Sequence, residues 1–145
     1  MKDLTNSQLI EAAVDANACA ASLAWLRHTR YDLVQCIEAL RAGDIDWDWL
    51  DFFIERMSRS LFGTKFRANF EERVNKPAMI INDRVNTLWD GLFARWEGVK
   101  PYDHERSVQY LMQRDEVEEA VRQSGIEFWN FIADGLLALL KESEA

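Results

Sequence analysis

The chain has 145 residues, 25 acidic against 17 basic side chains for a formal net charge of −8, and 48% apolar residues that include six Trp and eight Phe. This apolar content exceeds that of a disordered acidic tail, and the length allows one domain, residues 1–145, whose core needs neither metal nor disulfide. The acidity opposes binding to a phosphate backbone and favours a basic partner.

The opening Met-Lys-Asp-Leu-Thr lacks the apolar run of a signal peptide. No window supplies the roughly 20 apolar residues of a membrane span. A cytoplasmic protein with no membrane association is expected. Cys19 and Cys36 have no metal-ligand spacing around them and fit two reduced thiols in a helical interior, with a bridge between them left open.

Thr5 followed by Gln8 has the spacing of a capping box. The alanine-rich stretch Ala12 to Ala24 follows, either one long helix or two meeting near Asn17. Thr29 with Asp32 offers the next cap, for a helix with Leu33, Ile37 and Leu40 on one face that Gly43 should stop. A helix over 45–62 then presents Trp47, Leu50, Phe53, Ile54, Met57 and Leu61 on one side, with Asp46, Asp48 and Asp51 in the first turns, where a helix dipole favours negative charge. Gly63 ends it.

A short helix with Phe66, Phe70 and Val74 should stop before Lys76-Pro77. Over 78–97, the residues Ile81, Val85, Leu88, Trp89, Leu92, Phe93 and Trp96 fill an apolar arc of about 140°, closed by Gly98 and Pro101. Asp103 caps a helix using Val108, Leu111 and Met112. The apolar positions then shift to another face at Val117 and Val121, and Asp115 with Glu118 has capping-box spacing, so a break near Arg114 is expected. Gly125 should separate this piece from the last helix.

That last stretch, residues 126–141, is apolar around most of its circumference. Glu127, Asn130, Asp134 and Lys141 share a wedge of about 60°. Such a helix belongs at the centre of a bundle, and Gly135, on the side of Phe128, Phe131 and Leu139, lets a neighbour approach closely. With no alternating strand pattern or hairpin signal, the fold class is all-α: one compact bundle of six to eight helices with the C-terminal helix central. A homodimer is allowed if that helix carries more apolar surface than one chain can cover.

Candidate chemistry is sparse. Asp44, Asp46, Asp48 and Glu55 match oxygen-bearing positions of a calcium-binding loop, but Trp49 stands where the turn requires Gly. His28 and His104 belong to no metal or catalytic motif, and no glycine-rich phosphate loop is present. Glu71-Glu72 and Glu116 through Glu119 lack the paired acidic motifs of an all-helical, metal-dependent hydrolase, the rival reading. No cofactor and no metal is expected.

The same acids read differently on a helical wheel: Asp44, Asp48, Asp51 and Glu55 fall within about 60° of one another, off the core face. Successive members lie roughly 5–6 Å apart along the axis, of the order of phosphate spacing on a nucleic-acid strand. Phe52 stands beside them, facing away from the core. Aligned acids with an exposed ring suit a protein partner that presents a basic, nucleic-acid-handling surface. Acids at Asp115, Glu116, Glu118, Glu119, Glu142 and Glu144 could extend the field, although Arg56 and Arg59 interrupt it.

The run Ala18-Cys-Ala-Ala-Ser-Leu-Ala-Trp-Leu26, followed by Asp46-Trp-Asp-Trp-Leu50, resembles a helical pattern in small proteins of bacteriophages and mobile elements. It covers about a quarter of the chain. The resemblance implies an accessory protein acting in a host cytoplasm, of the anti-defence or anti-CRISPR type, and implies no catalytic residue. The expected function is therefore a non-enzymatic inhibitor or adaptor using Asp44, Asp48, Asp51, Phe52 and Glu55, with an oligomerising structural subunit as the remaining alternative.

Overall fold

Two capping boxes set the beginning of the bundle. The computed structural model describes residues 4–45, 47–98 and 104–143. Helix α1 (Asn6–Asp15) starts where the Thr5 hydroxyl accepts the Gln8 amide and the Gln8 carboxamide accepts the Thr5 amide. Asn17 has φ +60° and separates α1 from α2 (Ala20–Thr29), so the alanine-rich stretch is two helices. Asn enters this left-handed region more readily than most residues. The Asn6 carboxamide then ties the pair together, donating to the carbonyls of Leu26 and Tyr31 at 2.9 Å each.

The expected cap for α3 (Leu33–Arg41) is displaced. Asp32 itself is the N-cap, exchanging bonds of 2.8 and 3.0 Å with Gln35, whereas Thr29 closes α2 with its hydroxyl on the Leu26 carbonyl. Gly43, at φ +78°, ends the run as its position predicts.

Helix α4 covers residues 47–62 and contains a π-helical turn at Phe53–Met57. It starts at Trp47, so Asp44 lies before it; Asp46 is outside the described residues. The extra residue in the wide turn shifts the buried side: Trp49, Leu50, Phe53, Ile54, Met57 and Ser58 are inside. The Ser58 hydroxyl bonds the Ile54 carbonyl at 2.5 Å, so that polar group is satisfied in the core.

Helix α5 covers residues 65–96, against the expectation of a stop before Pro77. Pro77 has no amide to donate, and its ring would meet the carbonyl of Arg73 in a regular helix. A second π-helical turn, Glu71–Asn75, opens the backbone there, with the Lys76 amide on the Glu71 carbonyl five residues back. The helix therefore passes the proline intact.

Helix α6 (His104–Ser143) is continuous for 40 residues, about 60 Å. The expected break near Arg114 and the separation at Gly125 are both absent. The face shift after Met112 has another cause: Val117, Val121 and Ser124 face α5, whereas Val108, Leu111 and Met112 point away from it. Pro101 and Asp103 lie outside the described residues.

The described residues thus form six helices and no strand, an all-α bundle. Its core joins Leu9, Leu33, Leu40, Leu50 and Phe53 to Ile132, Leu136 and Leu140 of α6, so the C-terminal stretch is central as expected. Residues 80–96 of α5 and 104–124 of α6 continue beyond this core as an antiparallel pair, locked at one end by Gln113, which accepts from Trp96 Nε1 at 2.8 Å and from Arg95 at 2.9 Å.

The two helices α5 and α6 approach closely at Gly135: a Cβ there would lie 2.6 Å from Val74 Cγ1. Gly125, on the same helix, has nothing within 4 Å of an added Cβ. Gly125→Ala should therefore stabilise the fold by about 0.5–1 kcal/mol through helix propensity alone. Gly135→Ala should destabilise it by about 1–3 kcal/mol through overpacking, and adding Val74→Ala should recover part of that loss. Urea denaturation of the four proteins measures these values.

Candidate functional site

The acids after Gly43 border a groove between the start of α2 and the exposed edge of α4. It has a volume of about 660 Å³ and is lined by Asp48, Asp51, Glu55 and Arg56 from α4 and by Cys19 and Ser22 from α2. A smaller hollow of about 190 Å³ adjoins it, sharing Ser22 and Trp49 and adding Asp44 and Trp25. All five residues expected to bind a partner line one or the other.

Their environments differ from the expectation in three respects. Asp44 is exposed but sits in the α3–α4 connection, so three of the four acids share the helix and the fourth joins through the chain's turn. Glu55 is half-exposed and forms an ion pair with Arg67 of α5. Phe52 does not stand clear of the core; it is half-buried, packs against the core cluster and carries the Arg56 guanidinium 5.9 Å from its ring centre. Asp48 and Asp51 match the expectation. Both are exposed, three residues apart on one edge, with no ion pair among the described residues.

A ladder of rings holds this edge in place. Trp49 stacks on Phe53 at 5.5 Å and 3°, and meets Trp25 of α2 edge-on at 6.4 Å; Trp25 meets Tyr31 at 5.7 Å. Because Trp49 and Phe53 are buried on α4, Asp48 and Asp51 must project from the other side. Offset and edge-on ring pairs contribute beyond their buried area, about 0.5–1.5 kcal/mol each.

Sequence reasoning missed the α2 side of the groove. Cys36 is interior, as expected, but Cys19 is exposed and is the N-cap of α2, its Sγ 3.2 Å from Ser22 Oγ. The two thiols are free. The Ser22 hydroxyl and then the Ser22 and Ala21 amides lower the pKa of Cys19, whereas burial pushes Cys36 up to about 12. The signal was Asn17: a break there puts Cys19 at a helix start.

Trp49 is buried within a helix that runs from Trp47, so the segment does not make a calcium loop. Among the described residues, no group of three or more His, Cys, Asp or Glu side chains is placed to hold a metal ion. No helix of the described residues is long and apolar enough to cross a membrane. Comparison with protein-family models, curated proteins and solved structures gives no match.

The thiols report directly on this geometry. In native protein, iodoacetamide should modify Cys19 and spare Cys36 until the fold opens. The Cys19 rate should rise with pH along a curve shifted below that of an unfolded thiol, because its folded pKa is lowered, and Ser22→Ala should move the curve back up. Peptide mapping by mass spectrometry separates the two sites.

Proposed function

We propose that the chain is a non-enzymatic binding protein whose α2–α4 groove receives a basic surface of a nucleic-acid-handling protein. The observation that carries this reading is the pair Asp48 and Asp51, exposed and without an internal cation among the described residues, on a chain of net charge −8. Asp44 extends the charge along the groove, Glu55 at its far end is paired with Arg67, and the half-buried face of Phe52 supplies apolar contact beside them. Unpaired acids attract and orient a basic partner at distances up to a Debye length, about 8 Å at physiological ionic strength.

The biological setting belongs to the same proposal. The Ala18 to Leu26 and Asp46 to Leu50 pattern resembles small phage and mobile-element proteins, which supports an anti-defence inhibitor, anti-CRISPR-like in action, working in the host cytoplasm. An acidic groove that occupies a nucleic-acid-binding surface would block it by competition.

Affinity capture from host lysate with three proteins tests the idea: wild type, Asp48→Lys/Asp51→Lys, and a control that reverses Glu116 and Glu118. A captured protein should be lost with the groove variant, kept with the control, and released from wild type by rising salt. Equal capture by all three, with circular dichroism showing each folded, would remove the groove from consideration.

A further inference from the structure

The antiparallel pair made by residues 80–96 of α5 and 104–124 of α6 has almost no interior of its own. Of these residues only Ile81, Leu92 and Ser124 are buried. Five of the eight large apolar side chains exposed among the described residues lie on it: Ile80, Phe93, Val108, Leu111 and Met112. Helices draw most of their stability from burying an apolar face, so a pair this long and this open lacks a covering layer. The surface of the whole chain agrees. It amounts to 9112 Å², whereas a compact monomer of this mass exposes about 7,700 Å². The surplus of about 1,400 Å² exceeds the roughly 800 Å² that each partner gives up in a stable interface.

The two flanks of the pair differ in character. One is marked by the ion pair of Arg84 with Glu127 at 3.0 Å. About 180° round the wheel from these two stand Phe93 on α5 and Glu118 on α6, so both belong to the other flank. There Phe93 is 56% exposed and stacks on Trp89 at 5.8 Å and 18°. On α6, positions 111, 114, 118, 121 and 125 run in steps of three or four into 129, 132 and 136. Ile132 and Leu136 are buried in the core, while Leu111 is exposed and Val121 half-buried. The side of α6 that the core covers further on is thus left open here.

Charge and access together decide what covers it. Arg114 pairs with Glu118 at 3.4 Å and Arg122 with Glu119 at 2.6 Å, so the charges on this flank are matched within the chain, and the exposed Asp90 and Asp115 stand at its outer margins. Such a flank offers little to a charged partner and meets a like flank without repulsion. The core occupies the same side of α6 beyond residue 128, so a second pair of helices enters only from the free end and runs antiparallel. The open flank, from His104 to Gly125, is about 31 Å long and two helices, about 20 Å, wide. Arg95 and Trp96 both bond Gln113, which places Phe93 within a turn of its midpoint. In an antiparallel twofold arrangement, a residue at the midpoint meets its own copy.

We propose that two copies of this chain associate through this flank. The α5–α6 pairs lie antiparallel, with Phe93 and Trp89 of each copy at the twofold axis and Leu111 and Val121 beside them. Four helices then enclose the interior that two lack. This surface is separate from the α2–α4 groove, and the proposal stands whether or not the groove binds anything.

Sedimentation equilibrium over a range of micromolar concentrations tests it, with circular dichroism as the check on folding. Wild type should be a dimer. Phe93→Lys should weaken self-association at least about tenfold, because each dimer loses two buried rings. Ile80→Lys, on the opposite flank, and Met112→Lys, on the side of α6 turned away from α5, should leave it unchanged. Cross-linking gives a readout that does not depend on the stability of a lysine variant: with Cys19→Ser in place, Phe93→Cys should form a covalent dimer on mild oxidation and Ile80→Cys should not.

Three results would each overturn the proposal: wild type monomeric at every concentration, a dimer that a folded Phe93→Lys leaves intact, or a dimer in which Phe93→Cys gives no cross-link. Dissociation by Met112→Lys together with the last result would move the interface to the outer side of α6.

Discussion

Two-sided burial of the C-terminal half of α6 is the constraint on which the bundle depends. Ile132, Ala133, Leu136, Leu139 and Leu140 are each almost fully inaccessible, and with Gly135 against Val74 the covered arc reaches roughly 160°, more than one neighbour covers. One flank is met by α5, brought close because Gly135 leaves room for Val74; the other is met by α3 and, through the shared core, by α1 and α4. The two π-helical turns follow from this arrangement. The turn at Glu71–Asn75 lets α5 keep its buried side on α6 while passing Pro77, which regular geometry would reject, and the turn at Phe53–Met57 shifts the buried side of α4 within the core.

The groove is a by-product of the same packing. Burying Trp49 and Phe53 fixes the rotation of α4, Trp25 clamps it to α2, and the acids are left on the remaining edge. Cys19 and Ser22 reach the opposite wall because Asn17 turns the chain and starts α2 there. The acids did not need placing individually. The ring ladder from Phe53 through Trp49 and Trp25 to Tyr31 fixes which edge of α4 stays exposed.

Local signals in the sequence were legible where one residue decides the outcome. Thr5 with Gln8, Gly43 and Gly63 act through their own side chains or their own φ, and the structure places them as their chemistry requires. The errors share a different origin. Pro77 reads as a stop because propensity is local, whereas the compensating π turn is held by contact with α6. Asp115 with Glu118 has capping-box spacing but sits inside a continuous helix, since a neighbour, α5, supports residues 113–124 from one side throughout. A change of apolar face along α6 records a change of neighbours. The half-burial of Phe52 was invisible for a related reason: the π turn beginning at Phe53 alters the wheel on which its exposure was judged.

Charge is distributed unevenly once the helices are packed. Arg41 pairs with Asp134, Arg73 with Glu142, Arg84 with Glu127 and Arg67 with Glu55, each joining two helices, while Glu72, Glu118 and Glu119 are met by Lys76, Arg114 and Arg122 on their own helices. The Arg122 bonds pull Glu119 down to about 2. Such exposed pairs are screened by water and are weak as a source of stability. Their larger consequence is for the surface field. Among the described residues, Asp48 and Asp51 beside the groove have no such partner. Placed together on one edge of the groove, these two acids select an orientation for whatever basic surface approaches.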